Sequence, residues 1–500
     1  MASRRDELNA YTFSRRRTLA AFLRPSSGGH DEEAPKAVRA VIPSLVLGAV
    51  AVAGFGAYGL FKPTAPKGWQ TANAIIVGKQ STTRYVMLDK KLFPVLNVAS
   101  ARLVLGKNPS VMTVPDAALN SVPHGPTIGI PYAPDTLPSA TVAGSNQSWV
   151  VCNQPKGASV SQKVYVLGGT EEQRFTAKPS LTGSQGLYVQ AGGVDYLVDG
   201  TGTAYQMDAS MAKDVFPTTL GQPEQVSSAW LKTLDQGEAI TQSTVDSEFG
   251  TLNSSSGSPL GPVGTVLSTT FGGQTYQYGV RSGGQLVHIS PFAAGLLHQM
   301  TGQPAKQVDS SQVSGQSATW APKWPQQAQL TQVNGGTGGD RTVVCGSYTT
   351  GSTNGQGDAQ ASHQVWAGTS LGDLPVNAVG NTSSSGSSGQ LAVPAYVTPG
   401  VGELFHDGTS GTGKVYLLTD NGMKYPIQVN PADGGAGTDP SKMVATPSPS
   451  ASGDSQDQVT GLDRLGLKTF KPEGVPSDLV KLLPSGPELD VKDALMPQGS

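Results

Sequence analysis

Four stretches of this 500-residue chain repeat one plan, and such a repeat limits the possible folds more than composition does. They are RYVMLDKKLFP from Arg84, DYLVDGTGTAYQM from Asp195, QYGVRSGGQLVHISP from Gln277 and VYLLTDNGMKYPI from Val415. In each, a tyrosine (Tyr85, Tyr196, Tyr278 or Tyr416) opens an apolar run and a turn follows. A second run then carries Phe93, Tyr205, Val287 or Tyr425 eight or nine residues on. This pattern predicts a β-hairpin in every copy. Asn421-Gly422 predicts a two-residue type I′ loop, which needs positive φ at both positions. Three copies continue into a short helix-like tail that closes on glycine: ALNSVPHG, WLKTLDQG and LVKLLPSG. Tyr85 to Gly125 spans 40 residues and Tyr196 to Gly237 spans 41, whereas Tyr416 to Gly486 spans 70 because a Gly/Ser/Pro-rich stretch at 431–458 intrudes. The third copy keeps the hairpin and lacks the tail.

Two cysteine-bearing segments interrupt the array. Cys152 ends WVVC and Cys345 ends RTVVC, both strand-like β-branched runs. The order of parts is first copy, Cys152 segment, second and third copies, Cys345 segment, fourth copy, which reads nearly as a mirror. That order predicts two arms joined at a central β domain made of two distant segments, with copies two and three at the far end. The alternative is a linear solenoid, which would not need the cysteine segments to break the array. With 63 Gly, 36 Pro and 14% charged residues, strands, turns and linkers fit better than helical bundles. The expected fold is mainly β with short helices (α+β).

Ahead of the repeats, Ala40 to Phe61 reads AVIPSLVLGAVAVAGFGAYGLF, 22 residues without a charge between Arg39 and Lys62. That length predicts one transmembrane helix at 39–62. A cleaved signal peptide would have a shorter apolar core nearer the N-terminus, and the twin-arginine-like SRRRTL at Ser14 lies some twenty residues before the run. Residues 1–39 carry eight Lys/Arg against five Asp/Glu, so the positive-inside rule puts residues 1–38 in the cytoplasm and residue 63 onward outside. Thiols oxidise there, and Cys152 and Cys345 are read as one disulfide, with two separately buried thiols as the alternative.

Two motifs suggest catalysis. GTSGTGKV at 408–415 places Gly408, Gly413 and Lys414 as a P-loop does. Val415, however, stands where a Ser or Thr would bind Mg²⁺, and a strand-like VYLL follows instead of a helix. Gly368-Thr369-Ser370-Leu371-Gly372 matches a nucleophile elbow, but GDLP follows where a helix should. His363 and His406 have no marked link to Ser370. The six histidines show no metal-ligand spacing, so neither catalytic residue, metal nor cofactor is expected.

The N-terminal RRDELNAYTFSRRRTLAAFL, the apolar segment, KLFPVLNVASARLVLG from Lys91, GPTIGIPYAPDTLP from Gly125 and GVPSDLVKLLPSGPELD near the end resemble the EccB family. These are membrane-anchored core components of the actinobacterial type VII (ESX) secretion machine. The likeness covers nearly the whole chain and is weak at 251–262, 376–390 and 431–458. The resemblance implies assembly in the cell membrane with EccC-, EccD- and EccE-like subunits and other copies of the chain, in a hexameric pore complex that exports small helical WXG-type substrates. It implies an elongated exported part of four repeats around a central β domain. A mycosin-type protease and the cell wall are further contacts to test, and nucleic acid is not among the expected partners. The family also carries an ATPase label, which the stretch at 408–415 does not support.

The expected organisation is a basic cytoplasmic segment (1–38), a transmembrane helix (39–62), repeat 1 (70–130) and a first part of the central domain (131–183). Repeat 2 (184–245), repeat 3 (263–320), a second central part (321–405) and repeat 4 (410–492, with its insertion) follow. The favoured function is a structural core subunit of the secretion complex. The alternatives are an extracytoplasmic ATP hydrolase that depends on Lys414 and a peptidoglycan-binding module.

Overall fold

The structure, a computed structural model, describes residues 4–23, 38–60, 65–106, 109–145, 147–156, 159–176, 180–334, 341–349, 362–371, 374, 395–409, 413–428, 460–468 and 472–498. The insertion at 431–458 lies outside them. The chain divides into two units, residues 1–64 and 65–500.

In the first unit, Asp6 and Glu7 sit in the first turn of helix Arg4–Leu23, where acidic side chains complement the helix dipole. All of this helix is exposed, including Leu8, Tyr11, Leu19 and Phe22. A second helix spans Val38–Leu60 with Pro43 inside it. Among the described residues no helix is long and apolar enough to cross a membrane, which corrects the transmembrane helix expected at 39–62.

The second unit mixes small sheets with short helices, which corrects the mainly β expectation. The physical reason is that each sheet contains parallel pairs, and a parallel neighbour can be reached only by a crossover. In the first module, Ala74–Gly78, Arg84–Leu88 and Lys91–Pro94 form an antiparallel meander. Helix Val98–Leu105 then carries the chain across, and Ser110–Val114 joins parallel to the first strand. Helix Asp116–Leu119 leads to the opposite edge, where His124 and Ile128 lie parallel to the third strand. Residues 185–240, 266–320 and 403–489 follow the same path.

Turn geometry fixes the meanders. Gly192-Gly193 and Gly272-Gly273 have positive φ at both positions and join directly paired strand ends, as type I′ loops do. Asp89-Lys90 makes the same turn at φ 46° and 63° without glycine. Asn421-Gly422, expected to do so, does not: Leu418 pairs with Lys424, and of the two only Gly422 has positive φ. The Gly422 N–H donates to the Thr419 carbonyl and the Thr419 N–H to that of Met423, a type I turn with a glycine bulge. The Asn421 carboxamide oxygen accepts from Thr419 Oγ1 and the Met423 N–H, which favours the wider loop.

The glycine tails also have a steric cause. A Cβ on Gly125, Gly237 or Gly486 would come within 2.2 to 2.3 Å of the ring of Phe93, Tyr205 or Tyr425. In the third module His288 pairs with Thr319, so Val287 lies opposite Ala318. The smaller side chain leaves room for a Cβ, and the tail needs no glycine. Gly125→Ala is therefore expected to destabilise the protein by about 1–3 kcal/mol through overpacking. Adding Phe93→Val, which copies the third module's pair, should recover part of that loss. Strictly additive losses in a double-mutant cycle followed by denaturant unfolding would refute the steric cause.

The first module packs on the fourth, through Ala99 and Leu103 against Leu462 and Leu465. The crossover helices cap each other there. Arg464 Nη1 donates to the carbonyls of Leu103 and Val104, and Arg102 Nη1 to that of Leu465. Such contacts satisfy carbonyls that helix ends leave open. The second module packs on the third through Phe216 and Val215 against Phe292 and Leu296. Between these pairs lies a sheet in the order Ser362–Gly368, Val343–Thr349, Ser148–Lys156, Ser159–Leu167, Ala395–Val397.

Candidate functional site

Tyr85, Tyr196, Tyr278 and Tyr416 occupy the same place in the four meanders, opposite Ile76, Val189, Leu267 and Phe405 of the first strands. A valine (Val114, Val226, Val308 or Val475) ends or follows the parallel strand. Four residues into the next turn of helix comes Leu119, Leu231, Val313 or Val480. Each module thus presents one apolar face built from a first-strand residue, the tyrosine, the valine and the helical residue. The tyrosines stood out in the sequence and the rest of the face did not. A signal was there: VPDAAL, VSSAWL, VDSSQV and VPSDLV share a valine, a helix-capping residue and an aliphatic residue five positions after the valine.

Two of these faces are buried against the central sheet. Val189, Val226 and Leu231 of the second module and Phe405, Val475 and Val480 of the fourth join one core with Trp149, Val151, Val164, Val166 and Val344. The Trp230 Nε1–H donates to the Val151 carbonyl at 3.1 Å, and Ser227 Oγ to Gln162 Oε1. From the sheet, Tyr348 OH reaches the Gly474 carbonyl. Phe405 stacks on Tyr416 and meets Trp149 edge-on at 5.3 Å. The first module's face is covered by Trp69, which packs with Ile76, Tyr85, Val114 and Leu119.

Cys152 and Cys345 face each other on neighbouring antiparallel strands and are disulfide-bonded, with their Cα atoms 4.0 Å apart. They lie on the opposite side of the sheet from the docked modules, in a core with Val150, Tyr165, Val343 and Leu371.

One carboxyl is enclosed where the fourth module meets the sheet. Glu403 is 3% exposed and accepts from Trp149 Nε1 at 2.7 Å. Burial pushes its carboxyl up to about 8 against the pull of the Trp149 donor, with nearby Glu473 and Glu172 adding to the rise. The protonated form belongs to the folded state, so its stabilisation is complete below the ordinary carboxylate range and is lost as pH rises towards 8. Melting temperature should therefore fall between about pH 5 and 8, with a slope from this group of at most about 1.4 kcal/mol per pH unit. Glu403→Gln should flatten that slope, and an unchanged slope in this variant would count against the assignment.

The motif residues are not gathered into one place. Residues 410–412 of the P-loop-like stretch lie outside the described residues; Lys414 leads into strand Val415–Leu418, which runs antiparallel to Glu403–Asp407, and pairs with Glu488 at 3.4 Å. His406 Nδ1 lies 2.9 Å from the Gly413 carbonyl. Ser370 follows strand Ser362–Gly368, while His363 lies near its other end, edge-on to Tyr348. The strand from His363 to Gly368 alone separates them by roughly 16 Å along its length. Among the described residues no group of three or more His, Cys, Asp or Glu could hold a metal ion.

This geometry defines a chain of small βα modules clamped on a disulfide-linked sheet. Over residues 1–500 the sequence matches the family described as "Type VII secretion system ESX-1, transport TM domain B", and the chain belongs to that family. It is 32% identical over 316 residues to the "ESX-5 secretion system ATPase EccB5" of Mycobacterium marinum, covering 60% of each chain. It is 30% identical over 305 residues to the "ESX-2 secretion system ATPase EccB2" of Mycobacterium tuberculosis, covering 59% of each. The aligned part therefore spans about three fifths of these relatives' length. In fold it is similar to a chain of an intact ESX-5 inner membrane complex, at a TM-score of 0.62 and 22% identity over 100% of this chain and 96% of that one. It is likewise similar to the EccB3 dimer from the ESX-3 core complex, at 0.58 and 21% identity over 85% and 100%.

Proposed function

We propose that the chain is a structural core subunit of a type VII secretion membrane complex and that its work is assembly. The observation that carries this reading is the set of four equivalent apolar faces, two of which already pack on the central sheet within the chain. Similar chains occur in an ESX-5 inner membrane complex and as an EccB3 dimer. We assign this chain corresponding partners: EccC-, EccD- and EccE-like subunits and further copies of itself, in a pore for WXG-type substrates. The proposed division is into four repeats, 70–130, 184–245, 263–320 and 410–492, around a central domain of 131–183 and 321–405. Tyr85, Tyr196, Tyr278 and Tyr416 mark the docking faces, and the disulfide suits an oxidising compartment for residues 65–500. The wholly exposed helix Arg4–Leu23, with Leu8, Tyr11, Leu19 and Phe22 along it, is the proposed contact to partner subunits.

Relatives bear an ATPase label. In this chain Lys414 leads into a strand, and Lys414→Ala should leave export and nucleotide turnover unchanged. Loss of ATP turnover in the purified protein on that single change would establish the hydrolase reading. The assembly reading is tested by affinity purification of the tagged chain from membranes, with and without residues 2–24. The whole chain should carry the other subunits with it and the shortened one should lose them. Recovery of the full-length chain alone, or normal export after deletion of residues 70–500, would defeat the proposal.

A further inference from the structure

The third module has the same face, with Leu267 and Val313 buried and Tyr278 and Val308 half-buried, and among the described residues no sheet or tryptophan joins the small core it forms. Where Trp69 closes the first module's face, the loop before the third module offers only the partly buried Leu260. What remains is a groove of about 540 Å³ lined by Phe271, Tyr276, Tyr278 and Val313, with Ser311 and Gln316 at its side. Phe271 is 69% exposed, and His288 meets Tyr278 edge-on at 5.5 Å and lies tilted against Tyr276 at 6.0 Å. Among the described residues no charged residue lines the groove.

We propose that this groove is a docking site for a short, uncharged polypeptide segment of a partner that inserts an aromatic side chain beside Tyr278. The chain itself shows what such a face accepts. Trp69 fills the first, and Trp149 reaches the fourth through Phe405 stacked on Tyr416. Aromatic rings meeting edge-to-face add to the gain from burial, and a single anchored aromatic can dominate the affinity of a small contact. An uncharged lining gives a charged segment nothing to offset its loss of hydration. The site is independent of the secretion reading, since it rests only on the equivalence of the four faces.

The test uses the full-length chain and the peptide Ac-PAGWQTA-NH₂, which is residues 66–72 with Lys67→Ala. Binding is followed by fluorescence anisotropy of a labelled copy. Saturable binding is expected, weakened at least about tenfold by Phe271→Ser and by Ser311→Arg, and absent when alanine replaces the peptide's tryptophan. Both protein positions are exposed, so the variants should keep the wild-type melting temperature, checked alongside. No saturable binding, or binding indifferent to both substitutions, would overturn the proposal. Concentration-dependent dimerisation that Phe271→Ser abolishes, without peptide binding, would overturn it in favour of a second copy as occupant.

Discussion

The double substitution Cys152→Ser, Cys345→Ser is expected to lower the unfolding free energy by up to about 5 kcal/mol, the chain-entropy estimate for so long a loop. The two cysteines are 193 residues apart in sequence, so the bond restricts the unfolded chain over a large part of its length. The measured loss should fall below the ceiling because residual structure in the unfolded chain reduces it. The same strands also pair from Val344–Asn153 to Thr349–Ser148 without help from sulfur. Thermal melts under non-reducing conditions decide the matter. The variant should match the reduced wild-type protein, and a melt that coincides with that of the oxidised protein would show that the bond contributes nothing.

Trp230→Ala should cost about 3–5 kcal/mol, as truncation of a buried tryptophan does. Trp230 is fully buried, packs between the second module and the central sheet, and donates to the Val151 carbonyl. Its loss leaves a cavity and removes that hydrogen bond. Trp230→Phe, which keeps most of the volume but not the donor, should lose only part of that. Denaturant unfolding gives the magnitude, and hydrogen exchange at 148–154 gives the place. A loss under about 1 kcal/mol for Trp230→Ala would mean that the second module holds to the sheet by other contacts.

Much of each module was legible because its cause is local. The tyrosines, the hairpins and the glycine tails follow from spacing and side-chain volume. The parallel returns were not legible, since Ser110–Val114 and Glu473–Val475 find their partners across a crossover that no periodicity announces. The third tail was missed because glycine was sought where Val287 and Ala318 had exchanged volume. Asn421-Gly422 has the composition of one turn and forms another, held by the Asn421 side chain. Glu403 reads as an ordinary strand-end acid, and only tertiary packing encloses it. The expected membrane crossing rested on an apolar run alone and did not survive as a described feature.

The reciprocal arginine caps give the molecule two kinds of joint. Arg102 and Arg464 grip backbone carbonyls, acceptors that carry no proton to lose. The fourth module's other attachment holds Glu403, whose proton leaves as the surroundings turn alkaline. An alkaline environment would therefore loosen the fourth module from the cross-linked sheet while leaving it fastened to the first. One joint of the fourth module would then answer to pH and the other would not.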